Sequence, residues 1–485
     1  MTTVEAVSVG LLAADWILRL ALAVRVIMRR IPVAVTLCWL LLLFLIPVVS
    51  WMLYAFVGEP RLGSRRAAKA ATISETVEER AVLRWRRAGW TWAPDADFYL
   101  PLARVGTQLG GMPPLRGNHL EILRTGGPML EALIKDIDQA KHHVHLLFYI
   151  WQPTGRGFAV GEALVRAVER GVKCRVLVDS VGARSLLRSP LLERMKQGGV
   201  QVVESLPASA FRLALARVDL RNHRKIAIVD GKVAYTGSQN VTDETFRLRR
   251  FRRRRPWIDV TLRIEGPAVE ALQTVFLSDW ALDCDEELGD LSGYYPDIAE
   301  LPGTSAVHVL PSGPGPRPDS IHQAMLAMLY VAREEIVMVT PYFVPDDASR
   351  AALRNAALRG VDVTLIVPTR LDARLVAAAS RATFDDLLES GVKVLEHPHG
   401  LLHAKAATID RRLAVVGSAN FDQRSFWLNF ETTLLIYDDE FASQLRFMQV
   451  ELARESKQIF LEEWRRRPFM ARFWDNLAQL FSPLL

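Results

Sequence analysis

Cysteine is scarce in this chain. Cys38, Cys174 and Cys284 stand far apart, with no C-x-x-C pair and no Cys/His cluster. That excludes a disulfide framework or a zinc site as the organising device. The start, Met1-Thr-Thr-Val-Glu5, has no basic residue, so a secretory leader is not expected. Charge is missing altogether from Ile31 to Gly58. This run exceeds the apolar core of a signal peptide, and Ile31–Val57 is long enough to cross a bilayer as one helix.

Charge elsewhere is plentiful and unevenly spread. The 485 residues hold 60 Lys and Arg against 54 Asp and Glu, a formal net charge of +6. Such a balance points to anionic partners, either nucleic acid or an acidic membrane surface. The mean hydropathy of +0.11 owes much to the N-terminal segments. Within residues 6–28, Asp15, Arg19 and Arg25, with Arg29 and Arg30 closing the segment, fall in one helical arc of about 160°. Two readings follow: a first membrane helix whose polar face packs on the second, or a helix lying in the interface plane. Arg61, Arg65, Arg66 and Lys69 flank the second segment and favour a cytoplasmic body, whereas Arg29-Arg30 at the turn argue the other way.

Beyond residue 115 the pattern alternates strand and helix, and does so twice. Val144–Trp151 reads as a buried strand, 158–169 as a helix, 174–178 as a strand, then a helix ending near Gln197 and a strand at 200–204. Arg170-Gly171-Val172 and the strand after it are matched by Arg359-Gly360-Val361, and Gly199-Val-Gln-Val by Gly391-Val-Lys-Val. Repetition of whole units implies an α/β fold with helix-covered sheets, built twice. An acidic stretch (Asp283, Asp285, Glu286, Glu287, Asp290) and the run Pro311–Pro318 have the composition of a linker.

A sharper repeat lies inside this one. His223-x-Lys225, Asp230, Gly237-Ser238-x-Asn240 recur as His403-x-Lys405, Asp410, Gly417-Ser418-x-Asn420 with identical spacing. A single His on a strand means little, but two gap-free copies imply one site that needs both halves. His and Lys at i and i+2 on a strand share a face. A two-residue turn at Asp230-Gly231 or Asp410-Arg411 would place Ser238 across from His223 and Ser418 across from His403, with Asn240 and Asn420 a pleat further. That face offers an imidazole, an ammonium, a hydroxyl and a carboxamide to a phosphate. Two histidines suit in-line displacement at phosphorus, one attacking and one protonating the leaving oxygen. Asp230 and Asp410 read as catalytic members of the signature or, more simply, as turn residues.

The paired signature resembles that of the phospholipase D superfamily. With the hydrophobic N-terminus, Asn222-His-Arg-Lys225, the run Ser425 to Glu431 and the terminal Leu480-Phe-Ser-Pro-Leu-Leu485, it is similar to the membrane-anchored bacterial cardiolipin synthase branch. The resemblance implies two tandem phospholipase D-like α-β-α domains related by pseudo-two-fold symmetry. It also implies no metal or other cofactor, and a phosphohistidine intermediate formed from phosphatidylglycerol. By analogy His223 attacks and His403 is the acid and base. Lys225, Lys405, Asn240 and Asn420 hold the phosphate, with Ser238 and Ser418 beside them. A downstream acid orients each histidine, at Asp259 and Glu431, unless these are ordinary strand carboxylates.

The expected layout is a membrane hairpin (1–60), a basic helical linker (61–115), a first domain (116–285), an acidic and Pro/Gly linker (286–318), a second domain (319–463) and a basic aromatic tail (464–485). The expected setting is the bacterial inner membrane, multi-pass, with anionic lipids and not nucleic acid as partners. Seven arginines in 247–255 read as a collector of anionic headgroups or as a solvated loop. The tail, Trp464 to Trp474, suits a headgroup zone or a helix packed on the domain. The rivals are a hydrolytic phospholipase D with the same residues, a superfamily nuclease, and a non-catalytic scaffold. Such a scaffold would have lost a His or Lys, and none is missing.

Overall fold

The computed structural model describes residues 3–29, 33–46, 48–59, 64–94, 98–124, 126–207, 217, 219–243, 256–284, 291–315 and 318–482. The arginine run 247–255, the acidic residues 285–290, Arg30, Arg61 and the last three residues lie outside them. Two compact units emerge, Met1–Ser64 with Ala208–Leu220, and Arg65–Pro207 with Arg221–Leu485.

In the first unit the expectation of a two-span hairpin is corrected. Thr3–Met28 is a single helix, and within it Val7–Met28 is the one described segment long and apolar enough to cross a membrane by length and composition. The cleaner run Ile31–Val57 instead forms two short helices, Val33–Leu45 and Val49–Val57. A proline at position 47 offers no amide hydrogen to a helical ladder, which favours a kink or break at this point. Val48 takes a left-handed φ of 62° beside it. A multi-pass arrangement is therefore not supported.

The charges of the first helix find partners within the unit, although Arg25 stays largely exposed. Buried Arg19 pairs with Asp15 and donates to the Phe44 carbonyl, while Arg25 forks onto Glu59 at 2.7 and 3.0 Å. The Tyr54 hydroxyl donates to the same carboxylate at 2.6 Å. Val26, Leu43 and Tyr54 form the small core. These contacts match the expectation that the polar side of the segment packs on the helices that follow it.

The second unit is organised by one long mixed sheet. Its strands are β1 (Leu115–Arg124), β2 (His143–Phe148), β3 (Lys173–Asp179), β4 (Gln201–Ser205), β5 (Lys225–Val229), β6 (Val233–Gly237) and β7 (Val260–Glu265). Then follow β8 (Ser305–Ser312), β9 (Glu335–Val339), β10 (Asp362–Pro368), β11 (Lys393–His397), β12 (Ala406–Ile409), β13 (Leu413–Gly417), β14 (Asn429–Tyr437) and β15 (Lys457–Ile459). The order across the sheet is β4-β3-β2-β5-β6-β7-β1-β8-β14-β13-β12-β9-β10-β11-β15. From the β1–β8 seam outward, both halves run through antiparallel central strands to three parallel ones, and the second half adds β15 as an antiparallel edge strand.

Local chemistry explains these elements. β2 is buried at every position, as its near-continuous apolar run requires of a strand covered on both faces. Helices Gly155–Glu169 and Pro190–Gln197 make the crossovers to β3 and β4, the long connections that parallel strands need. Helix Pro267–Asp283 is buried along nearly its whole length, with Phe276 and Trp280 in a core that extends to Leu445 and Met448 of the helix Asp439–Arg454.

Two expected linkers are corrected. Residues 61–115 contain the expected helices, Ser64–Ile73, Glu79–Arg87 and Leu100–Gly110, but pack into the unit and are not a separate linker. Trp85 is fully buried and donates to Glu270 at 2.9 Å. Within 286–318 lies β8, whose Pro311 sits past the stretch paired to β1 and so needs no N–H on that side.

Asn118 stitches the seam. The β1–β8 register shifts between Leu115 and Asn118. The buried amide there donates to the Leu115 and Ser305 carbonyls at 2.7 and 3.0 Å and accepts from Ala268 N–H at 2.7 Å. Asn118→Ala strands three buried backbone groups and is expected to cost about 2–4 kcal/mol. Thermal unfolding of the detergent-solubilised chain checks this; an unchanged midpoint would show the seam is held otherwise.

Candidate active site

Both signatures fold as hairpins, β5–β6 and β12–β13, but their register differs by one residue from the sequence expectation. Ile226 faces Thr236 and Ala406 faces Val416. The turns hold three residues, Asp230-Gly231-Lys232 and Asp410-Arg411-Arg412, with the amides of Lys232 and Arg412 bonded back to Val229 and Ile409. Asp230, Gly231, Asp410 and Arg411 all have positive φ. The serines are therefore not opposite the histidines.

The turn aspartates are committed to the backbone. Asp230 accepts the N–H groups of Lys141, His142 and His143, and Asp410 those of Arg333, Glu334 and Glu335, all at 2.7–2.9 Å. Asp230 lies five strand residues from Lys225, roughly 16 Å at 3.3 Å per residue. The assignment of Asp230 and Asp410 to the catalytic set is thus corrected to the turn reading: they anchor each hairpin to the loop before the neighbouring strand.

The histidines meet at the other end, by an exchange between halves. Arg221-Asn222 pairs in parallel with Asn429-Phe430, and Leu401-Leu402 with Trp257-Ile258. The amide of His223 then bonds the Phe430 carbonyl and that of His403 the Ile258 carbonyl, at 2.9 and 2.8 Å. Each histidine is delivered beside the acid that follows the other signature. His223 Nδ1 lies 2.9 and 3.0 Å from the two Glu431 oxygens, and His403 Nδ1 lies 2.6 Å from Asp259 Oδ1. Sequence adjacency would have paired Asp259 with His223 and Glu431 with His403; the fold crosses them.

The serines lock those acids. Ser238 Oγ accepts the Val260 N–H at 2.9 Å and donates to Asp259 at 2.7 Å. Ser418 accepts from Thr432 N–H at 2.9 Å and donates to Glu431. A hydroxyl has one proton, so neither serine has one left for a phosphate, which corrects the phosphate-binding assignment of Ser238 and Ser418. The preceding glycines permit this closeness. A Cβ on Gly237 would lie 2.3 Å from the Val260 carbonyl, and one on Gly417 2.7 Å from that of Thr432.

Lys225 and Lys405 each donate to the carbonyl of the histidine two residues back. Asn240 accepts from Ile150 N–H at 3.0 Å and leaves its buried Nδ2 unpartnered, while Asn420 leaves its buried Oδ1 unpartnered. Amide orientation is set by hydrogen bonding, so both carboxamides have a free polar end. Among the described residues, no group of three or more His, Cys, Asp or Glu side chains is arranged to hold a metal ion.

Sequence reasoning overlooked several neighbours. Tyr149 packs edge-on against His223 and Trp257 against His403, with ring centroids 4.9 and 4.7 Å apart. Asn429 donates to Glu431 at 3.1 Å. Arg224 pairs with buried Asp279 and donates to the Glu431 and Ser312 carbonyls at 3.0 and 2.9 Å. The signal available was the contrast between Arg224 and Ala404 inside otherwise matching H-x-K motifs.

Burial governs the electrostatics. Desolvation, opposed by Glu431, holds His223 down at about 4. Desolvation with nearby Lys405, opposed by Asp259, does the same to His403. The lysines fall to about 7 and 8, again chiefly by burial. Burial works against ionising Asp259 and Glu431, but their histidine, lysine and serine neighbours prevail and both stay ionised. With neutral histidines, the two lysines in their protonated form balance the two carboxylates. Each imidazole keeps its proton on Nδ1, facing its acid, and leaves the Nε2 lone pair uncommitted.

Known proteins resemble this chain. A family model described as "Cardiolipin synthase, PLD-like domain" matches residues 133–280 and 325–448. Cardiolipin synthase A of Proteus mirabilis (strain HI4320) is 40% identical over 479 residues, covering 97% of each chain. That of Serratia proteamaculans (strain 568) is 38% identical over 475 residues, also 97% of each. Among solved structures, phosphatidylserine synthase of Haemophilus influenzae Rd KW20 superposes with a TM-score of 0.60 at 16% identity, over 79% of this chain and 100% of that one, a likeness of fold. With matching signatures, a family model spanning more than half of the chain and near full-length relatives, this chain belongs to the cardiolipin synthase family of phospholipase D-like proteins.

Proposed function

We propose that the chain is a phosphatidyltransferase that makes cardiolipin from two molecules of phosphatidylglycerol. The observation that carries this reading is the exchanged histidine–acid pairing, which makes one site out of two signatures.

The geometry supports the following steps. The Nε2 lone pair of one neutral histidine attacks phosphorus, the bond to the glycerol oxygen breaks, and the other histidine gives that oxygen its proton. The second phosphatidylglycerol then offers a glycerol hydroxyl. The second histidine removes its proton, the oxygen attacks phosphorus, and the phosphorus–nitrogen bond breaks to free the first histidine. Lys225, Lys405, Asn240 and Asn420 hold the phosphoryl oxygens, and Asp259 and Glu431 hold each ring in its Nδ1–H tautomer. An incoming phosphodiester brings one negative charge. Neutrality is restored when one histidine takes up a proton, so substrate binding itself raises the acid histidine from its depressed value.

The helix Val7–Met28 serves as the anchor in a bacterial cytoplasmic membrane. The basic residues Arg61, Arg65, Arg66 and Lys69 favour a catalytic body on the cytoplasmic side. Signature segments 116–285 and 319–463 act as paired catalytic halves.

Purified protein incubated with labelled phosphatidylglycerol in detergent, without divalent metal, is expected to yield cardiolipin and free glycerol. Phosphatidic acid alone would replace this reading with hydrolysis. His223→Ala and His403→Ala are each expected to lower turnover about a thousandfold or more, and activity surviving in either would refute the shared site. Phosphate trapped on one ring after acid-free quenching identifies the attacking histidine.

Removing an orienting acid misplaces the proton rather than the ring. Asp259→Asn or Glu431→Gln is expected to cut kcat by about 10²–10⁴ with KM little changed. A rise in KM alone would count against the orienting role.

Both site histidines have folded values near 4, below the unfolded 6.5. The unfolded chain therefore binds more protons between those values, and stability is lost as pH falls from about 6.5 towards 4. The ligand-free His223→Gln/His403→Gln variant is expected to show a shallower decline of unfolding temperature over that window than the wild type, whose other buried histidines still contribute. Identical slopes would contradict the neutral-histidine site.

A further inference from the structure

The C-terminal helix Phe469–Gln479 is amphipathic, but its apolar side faces outward. At 100° per residue, Phe469, Met470, Phe473, Trp474 and Leu477 fall within an arc of about 140°. Four of them are well exposed, Phe469 by 77% and Trp474 by 58%, and Leu480 and Phe481 continue the exposed apolar surface past the helix end. The side turned to the protein carries Ala478 and a carboxylate. Asp475 is buried and takes Arg381 at 2.7 Å and Arg467 at 2.8 Å. A helix adapted to water would do the reverse.

The surroundings indicate what covers this ridge. Arg466 and Arg472 are exposed on the same segment, and Arg370, Arg374 and Leu375 are exposed on and just before the helix that supports it, Arg374–Ala382. Aromatic rings at the centre with cations around them match the headgroup zone of an anionic bilayer, where rings sit at the boundary and guanidinium groups reach phosphates.

The ridge is coupled to the site. Ala478, Ala379 and Val344 share one buried cluster. Val344 lies in the short strand Phe343-Val344, which pairs with Phe421-Asp422 directly after Asn420 of the second signature.

We propose that this helix is a membrane-docking element that seats the catalytic body on an anionic lipid surface through Phe469, Phe473 and Trp474, independently of the N-terminal helix. The geometry stands alone; the consequence for turnover rests on the phospholipid-transfer reading.

Two measurements on the full chain keep these apart. In the first, Phe473→Cys in a Cys38→Ser background carries an environment-sensitive fluorophore and is reconstituted in phosphatidylglycerol vesicles. The expected result is a blue shift and strong quenching by nitroxide-labelled lipid, with neither in the background lacking the new cysteine. A label that stays in water, or is already shielded in detergent by a second copy of the chain, overturns docking whatever the enzyme does. In the second, Phe473→Asp/Trp474→Asp is assayed on vesicles and on short-chain phosphatidylglycerol below its micellar concentration. Turnover is expected to fall about tenfold or more on vesicles and to stay within about twofold on the soluble substrate, a loss of roughly 1.4 kcal/mol or more confined to the surface. Equal rates on both substrates, or equal losses on both, overturn the docking role. Absence of transfer by the wild type on either substrate defeats the transfer reading, and the quenching result still decides docking.

Discussion

Each histidine of the doubled signature leans on a carboxylate from the opposite half, and most of the second unit can be understood as what makes that possible. Two buried carboxylates without partners would each be strongly unfavourable in a low-dielectric interior. Here each has an imidazole Nδ1–H, a serine hydroxyl and a nearby ammonium. The crossing requires the segments before the histidines to reach across and pair with the strands that carry the acids. It also requires the two sheets to join as one, through β1 and β8. Neither half contains a finished site.

The same constraint accounts for the small residues of the signature. The glycine before each serine has no Cβ to strike the neighbouring carbonyl, and only that closeness lets the serine bond both an amide and a carboxylate. The aspartates five residues beyond the lysines belong to a different task, holding the hairpin turn against the loop before β2 or β9. A motif that looks like one functional unit on paper is therefore two: a chemical end and a mechanical end of the same hairpin. The asymmetry between Arg224 and Ala404 lies at the chemical end, where Arg224 ties the Glu431 backbone to Asp279.

The two terminal segments show a similar division. In the first unit, charges that seemed out of place on an apolar helix are consumed internally, by Asp15, Glu59 and the Phe44 carbonyl. At the C-terminal end the converse holds, since the buried ion pairs of Asp475 leave the aromatic ridge outside. Burial of polar groups and exposure of apolar ones both make sense if lipid is the surrounding phase.

The sequence by itself determined the α/β alternation, its duplication and the His, Lys and Asn residues of the signatures, because periodicity and spacing are local properties; the two acids downstream came from the family resemblance. It also favoured turns at Asp230 and Asp410. Their length was not legible: a three-residue loop with positive φ at Asp230 and Gly231 shifts the register by one and moves the serines from the histidines to the acids. Tertiary structure alone decided which acid serves which histidine, since that depends on pairings between segments far apart in the chain, with His223 and Glu431 208 positions apart and Asp259 and His403 144 apart. It also decided that β8 is a central strand despite its Pro311, and that the longest apolar run forms two short helices while the charged segment before it stays whole. Composition reports how apolar a segment is. Whether its backbone can continue, and what its side chains meet, is settled only when the rest of the chain is in place.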